Sequence, residues 1–289
     1  MKPPPFKYHD PRTLTDVLAL LGSLENAKLL AGGQSLAPML NFRYVLPDHL
    51  VDLNRVEELA YIRIQGKKVS VGAMTRQRTL ERHDPLGRLC PIVREALREV
   101  GHFQTRNRGT LGGSLAHLDP AAELPGVMAL YDAVLELTGP RGKRSVRITD
   151  WGQGYMTPNL HADELLTAIS WDAWEGRHGH AFVEFARRRG DFAIVAVGCL
   201  LALDARHAVK RAALSMVGVG YAPLRLSALE RQLAGKPVDE KTLEAAAAEA
   251  CKIEAKSDIY ASSAYRQRLA GVLTARALKS AYDRARSGG

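Results

Sequence analysis

Two glycine pairs, each followed by a hydroxyl residue, constrain this chain more than any other feature: Ala31-Gly32-Gly33-Gln34-Ser35-Leu36 and Thr110-Leu111-Gly112-Gly113-Ser114-Leu115. Glycine lacks a Cβ, so backbone N–H groups can approach phosphate oxygens closely, and Ser or Thr adds a hydroxyl donor. Two such bends can grip a pyrophosphate from both sides through main-chain amides, provided the fold brings them together. Taken singly, each pair is more often just a turn. Neither has the G-x-G-x-x-G or G-x-x-x-x-G-K-[ST] spacing, so the common dinucleotide and P-loop readings are not supported.

The surrounding pattern supplies a frame for the bends. Asp10 and Pro11 read as a helix start, with Leu14, Val17, Leu18 and Leu21 at helical spacing up to Gly22. Lys28 to Ala31 is a short strand, Ser35 to Arg43 a helix-like stretch and His49 to Leu53 another strand, which together make a small βαβ unit. Ile62 and Ile64, then Val69 and Val71, alternate with polar residues around Gln65-Gly66-Lys67-Lys68, as in an antiparallel hairpin. Ile92, Val93, Ala96, Leu97 and Val100 mark a helix stopped by Gly101. A glycine-rich loop, Gly109 to Ser114, leads to a helix near Ala121 to Ala129, a strand at Val134 to Leu137 and a Gly-Pro-Arg-Gly turn.

At 289 residues the chain exceeds the usual single core, so two domains, or one domain with a substantial appendage, are expected. A polar, loop-like stretch from Trp171 to Gly179 sets the boundary, giving regions 1–176 and 177–289. Phe182 to Phe185, Val195 to Leu203 and Ala213 to Val219 read as sheet, and Lys241 to Ala255 and Ala264 to Ala285 as alanine-rich helices.

Composition narrows the classes. The start, Met1-Lys2-Pro3-Pro4-Pro5-Phe6, lacks the apolar core of an export signal, and the run Ile194 to Leu203 falls far short of a membrane span. Neither export nor a membrane span is expected. Cys90, Cys199 and Cys251 are odd in number and never form a CxxC, so neither a disulfide framework nor a cluster cradle is encoded; buried reduced thiols are expected. The net charge of +9 could serve nucleic acid, acidic partners or an anionic cofactor. The basic residues are scattered, with no aromatic-interleaved stripe, which argues against nucleic acid. His117 has no second ligand at metal-binding spacing and reads as a loop or packed histidine.

Four stretches carry a family resemblance: AGGQSLAPMLNFR (Ala31 to Arg43), HLVDLNRVEEL (His49 to Leu59), QTRNRGTLGGSLAHLDPAAELP (Gln104 to Pro125) and RRRGDFAIVAVG (Arg187 to Gly198). Together with SSAYRQRLAGVLTARAL (Ser262 to Leu278), they closely resemble the FAD-binding medium subunit of the carbon monoxide dehydrogenase and xanthine dehydrogenase family. The resemblance implies an α+β fold: a two-lobed FAD-binding domain of the vanillyl-alcohol-oxidase (PCMH) type, followed by a smaller α+β C-terminal domain. It implies an oxidoreductase subunit that takes electrons from [2Fe–2S] clusters and passes them to an external acceptor. The clusters and the molybdenum cofactor would sit on a small and a large partner subunit, in a cytoplasmic dimer of heterotrimers.

By the same resemblance, the FAD diphosphate falls to Leu29, Leu30, Ala31, Gly32, Gly33, Gln34, Ser35 and Leu36, and to Thr110, Leu111, Gly112, Gly113 and Ser114. Glu123 matches an acidic position that could accept a hydrogen bond from a ribityl or ribose hydroxyl; a helix-start carboxylate facing the dipole is the plain alternative. Asp119 reads as the cap of a helix beginning at Pro120. Leu165 matches an apolar position against the flavin, with core packing equally open. Arg188, within Arg187 to Arg189, matches a basic position close to the flavin, although an arginine run also suits a solvated face. Gln34 and Ala121-Ala122-Glu123 depart from carbon monoxide dehydrogenase proper, which tilts the expectation toward relatives that hydroxylate N-heterocycles or aldehydes. Two rival readings stay open: a self-sufficient flavin oxidase, and an assembly or RNA-binding protein without cofactor.

Overall fold

The computed structural model describes residues 2–287; Met1, where the N-terminal reading begins, and Gly288-Gly289, where the second region ends, lie outside it. The chain builds three main sheets in sequence. The first is parallel, in the order Lys7–His9, His49–Asp52, Ala27–Leu30. The helix Leu14–Ser23 closes it, and Val17, Leu21, Val51, Leu53, Val56, Leu59, Met74 and Leu165 form its buried core.

That helix begins later than the Asp10-Pro11 pair predicts. Thr13 is its N-cap, its hydroxyl accepting from the Asp16 N–H at 3.1 Å, while Asp10 is drawn off into an ion pair with Arg55 at 2.8 Å. A hydroxyl placed to satisfy the first free amides defines a helix start better than proline alone.

The second sheet has five strands, in the order Ile62–Gln65, Lys68–Gly72, Leu165–Asp172, Val134–Gly139, Gly142–Arg147, and is antiparallel throughout. Against it packs the helix Pro91–Glu99, which buries Ile92, Val93, Ala96 and Leu97. Each fully buried larger side chain of this kind contributes about 1.5–3 kcal/mol.

The third sheet is antiparallel, in the order His178–Ala186, Ala193–Leu203, Val209–Val217, Leu224–Arg225. Its two faces are both apolar because both are covered. The face with Ala196, Leu200, Ala213 and Val217 joins the core of the second sheet through the helix Glu123–Leu130. The other, with Val197, Cys199, Leu214 and Met216, packs on the helices Ser227–Leu233, Glu240–Ala250 and Ser263–Ser287. Gly179 lets the last helix lie flat on the sheet: a Cβ there would meet the Ala285 nitrogen at 2.6 Å. Near its end, Arg284 donates to Glu95 Oε2 at 3.0 Å and Oε1 at 3.1 Å and to the His180 carbonyl at 2.7 Å. The same Glu95 accepts from the Phe182 N–H, so the last helix ties the third sheet to the helix Pro91–Glu99.

Cys90 and Cys199 are buried free thiols pushed above the ordinary thiol range by burial, and Cys251 is a free thiol at intermediate burial. No helix among the described residues is long and apolar enough to cross a membrane.

Candidate functional site

The two glycine bends, eighty positions apart, lie against each other. A Cβ on Gly32 would fall 2.8 Å from Gly109 Cα and nearer still to the Arg108 carbonyl, and one on Gly113 would lie 3.5 Å from Ala31 Cβ. The first bend follows the strand Ala27–Leu30, with Leu29 and Leu30 half-buried on it, and turns through Gly33 at φ +71° into the helix Leu36–Asn41. Leu36 opens that helix. The left-handed turn at Gly33 is cheap only for glycine.

The N–H groups of Gly32, Gly33, Gln34 and Ser35 donate to no backbone carbonyl among the described residues. Ser35 precedes the helix without its hydroxyl capping it, and the Gln34 amide donates to the Gly32 carbonyl at 3.2 Å. A row of unclaimed amides at a turn is a concentrated patch of positive partial charge.

The second bend differs from the loop that its glycines predict. Leu111–His117 is a helix, with Thr110 as N-cap accepting from the Gly113 N–H at 2.9 Å. Its amides are already engaged: Leu111 donates to the Thr75 carbonyl at 3.1 Å, Gly112 to Ala73 at 2.8 Å and Ser114 to Thr110 at 3.2 Å. The N–H groups of Leu111 to Ser114 are thus engaged within the protein, and that of Thr110 donates to no backbone carbonyl among the described residues. Gly112 is glycine because the neighbouring chain fills the space, with a Cβ there 2.7 Å from the Ala73 carbonyl. Glycine here permits close packing of backbone on backbone, so the pair fails to break the helix.

Glu123 opens the helix Glu123–Leu130 and is 6% exposed. Burial raises its carboxyl to about 7, with Asp119 and Glu99 adding like charge. Asp119 does not cap that helix, whose N-cap is Ala122; its carboxylate accepts from the Ala121 N–H at 2.8 Å and shapes the turn before it. Glu184, on the strand His178–Ala186, joins this acidic group unforeseen: burial first, then Glu123 and Glu99, push it to about 9, and its Oε2 is buried without a partner.

Leu165 is 3% exposed, within the core under the first sheet. Arg188 is exposed in the turn between the strands His178–Ala186 and Ala193–Leu203, next to Arg187, whose guanidinium lies over the Tyr260 ring at 5.7 Å. His117 ends the helix Leu111–His117 half-buried, its pKa lowered by burial and raised in part by Asp119. Two surface grooves, of about 900 and 570 Å³, share no lining residue with the bends.

Comparison with known families decides the identity. The FAD binding domain in molybdopterin dehydrogenase matches residues 4–171, over half of the chain, and the CO dehydrogenase flavoprotein C-terminal domain matches residues 180–281. The chain belongs to the FAD-binding medium-subunit family of carbon monoxide and xanthine dehydrogenases. Among relatives of this family, the carbon monoxide dehydrogenase medium chain of Afipia carboxidovorans is 37% identical, covering 99% of this chain and 100% of its own length. Among solved structures, carbon monoxide dehydrogenase from Hydrogenophaga pseudoflava superposes with TM-score 0.95 at 35% identity, covering 98% and 99% of the two chains. Quinoline 2-oxidoreductase from Pseudomonas putida 86 does so with TM-score 0.94 at 36% identity, covering 99% of each.

The residues present fit the family's FAD. The four unclaimed amides from Gly32 to Ser35 offer donors, and Gln77 Oε1 is buried without a partner beside Gly109, in the wall that joins the bends. As a medium-subunit flavoprotein of molybdenum hydroxylases, the chain is an oxidoreductase component with an α+β fold and FAD as its cofactor.

Proposed function

We propose that this chain is the electron-transfer subunit of a heteromeric molybdenum hydroxylase, receiving electrons from the [2Fe–2S] clusters of a small partner and passing them to an external acceptor. The observation that carries the reading is the meeting of Gly32 with Arg108 and Gly109 beside four unclaimed amides. Bound FAD would supply one- and two-electron chemistry that no side chain offers. The protein's part is to bind, orient and tune it.

The amides of Gly32, Gly33, Gln34 and Ser35 take the diphosphate, with Ala31 and Leu36 framing them on the strand and helix. Thr110, Leu111, Gly112, Gly113 and Ser114 form the opposite wall, whose backbone is held rigid by its own hydrogen bonds. Glu123 accepts from a ribityl or ribose hydroxyl, and its burial in a group of carboxyls keeps it partly protonated near neutral pH. Leu29 and Leu30 back the first bend, and Leu165 shares a core with Leu29. Arg188 lies in an exposed turn, where its charge could face the flavin ring or a partner.

A division at residue 176 separates the FAD-binding region from the C-terminal one. The large molybdenum-cofactor subunit and the small iron–sulfur subunit complete a cytoplasmic dimer of heterotrimers. The relatives do not single out a substrate: beside carbon monoxide dehydrogenase stands caffeine dehydrogenase of Pseudomonas sp. (strain CBB1), whose subunit beta is 35% identical.

The test is coexpression with candidate large and small subunits, gentle purification, and substrate-driven dye reduction. The expected result is a flavin-coloured chain that copurifies with both and hydroxylates nothing when isolated. A colourless chain, or one that is active alone, overturns the reading.

A further inference from the structure

Between the two bends sits an arginine that the resemblance does not single out. Thr75 to Gln77 run antiparallel to Gly109 to Leu111: the Gln77 N–H donates to the Gly109 carbonyl at 2.8 Å, and Arg76 faces Thr110. The Arg76 guanidinium donates through one nitrogen to the Arg108 carbonyl and through the other to Asn54 Oδ1. Asn54 in turn donates to the Ala31 carbonyl at 3.1 Å. One side chain thus couples the backbone just before the second bend to the backbone of the first.

The charge at this point is unbalanced. Arg76 is half-buried, yet no carboxylate lies within ion-pair distance of it or of Arg108 among the described residues. The nearby Asp52 carboxylate is engaged by Asn54, whose N–H donates to it at 2.8 Å, and by the Tyr8 hydroxyl at 2.6 Å. Burial and then the Arg108 charge lower the Arg76 pKa, with Asp52 opposing. Two like charges beside four unclaimed amides call for an anion. Guanidinium pairs oxyanions with directional bonds, which ammonium cannot reproduce.

Building on the FAD reading, we propose that Arg76 is a positioning residue for a diphosphate: it holds the two bends at their spacing through Asn54 and the Arg108 carbonyl, and with Arg108 provides the charge that a diphosphate neutralises.

The test uses the full chain stripped of flavin and titrated with FAD and, separately, with ADP, at several salt concentrations. Arg76→Gln is expected to weaken both ligands by about tenfold to a hundredfold and to flatten the salt dependence. Arg76→Lys, which keeps the charge but not the two-way bridge, is expected to keep the salt dependence while recovering only part of the affinity. Arg55→Gln, an exposed neighbour paired with Asp10, leaves both affinities unchanged. Wild-type affinity for both ligands in Arg76→Gln overturns the proposal. So does a loss of FAD binding with ADP binding intact, which would place the damage outside the diphosphate. If the wild-type chain binds neither ligand, the FAD reading itself fails.

Discussion

Gly32 lies so close to Gly109 that a Cβ on the first would come within 2.8 Å of the Cα of the second. The contact is backbone against backbone, so no side-chain rotation relieves it. Gly32→Ala is expected to cost about 1–3 kcal/mol of stability through overpacking and to reduce bound flavin. Gly22→Ala is the internal control: nothing lies within 4 Å of its Cβ, and in the helix Leu14–Ser23 alanine is expected to gain about 0.5–1 kcal/mol. Urea unfolding with flavin content measured on the same samples checks both, and equal behaviour of the two variants would refute the packing argument.

The buried carboxyl of Glu184 makes stability fall as pH rises. Its folded pKa of about 9 is above the unfolded value near 4.5, so the folded state keeps a proton that the unfolded state has lost across that window. The protein is therefore penalised progressively from about pH 4.5 to about pH 9. Glu184→Gln is expected to flatten this slope and to gain on the order of 1–3 kcal/mol at the upper end. Unfolding curves collected across the range decide it; an unchanged slope would show the carboxyl to be ionised and solvated.

Glu164 has the opposite sign. Arg144 donates to it twice, at 2.8 and 2.7 Å, and holds its carboxyl at about 2. The folded pKa lies below the unfolded one, so this contribution is complete above about pH 4.5 and is lost as pH falls through about 2. Glu164→Gln is expected to lower stability at neutral pH and to remove that part of the acid sensitivity, as read by acid unfolding followed by circular dichroism.

Arg266 is 2% exposed and donates to the Gly218 carbonyl at 2.7 Å, the Ile194 carbonyl at 2.5 Å and Asp258 at 2.5 Å. Arg266→Ala strands two carbonyls and a carboxylate, and is expected to cost about 3–5 kcal/mol. Thermal melts should show the loss in full chain whether or not FAD is bound. A shift below 1 kcal/mol would mean that water replaces the guanidinium.

Much of the architecture was legible in the chain because periodicity reports burial directly. Ile62, Ile64, Val69 and Val71 alternate as the hairpin of the second sheet requires, and the apolar run at Val195 to Leu203 belongs to a strand covered on both faces. Short polar segments were silent: Gln77–Arg82 and Phe103–Arg108 are helices without an apolar stripe, and Lys7–His9 is a three-residue strand. The helix Leu111–His117 was hidden by its glycines, and the role of Gly112 depends on Ala73, a residue distant in sequence. The bends themselves could be read from residue type. Asn54 and Arg76 could not, because nothing local in a lone asparagine or arginine reveals that the fold will set them side by side.

The pairing of Arg284 with Glu95 has a consequence for the order of synthesis. The guanidinium is translated 189 positions after the carboxylate, so the seam stays open until residue 284 has emerged. Nascent chains stalled before codon 284 are expected to be cut readily by protease in the His178–Ala186 strand and released chains to resist; equal resistance would show that the seam closes without its final clasp.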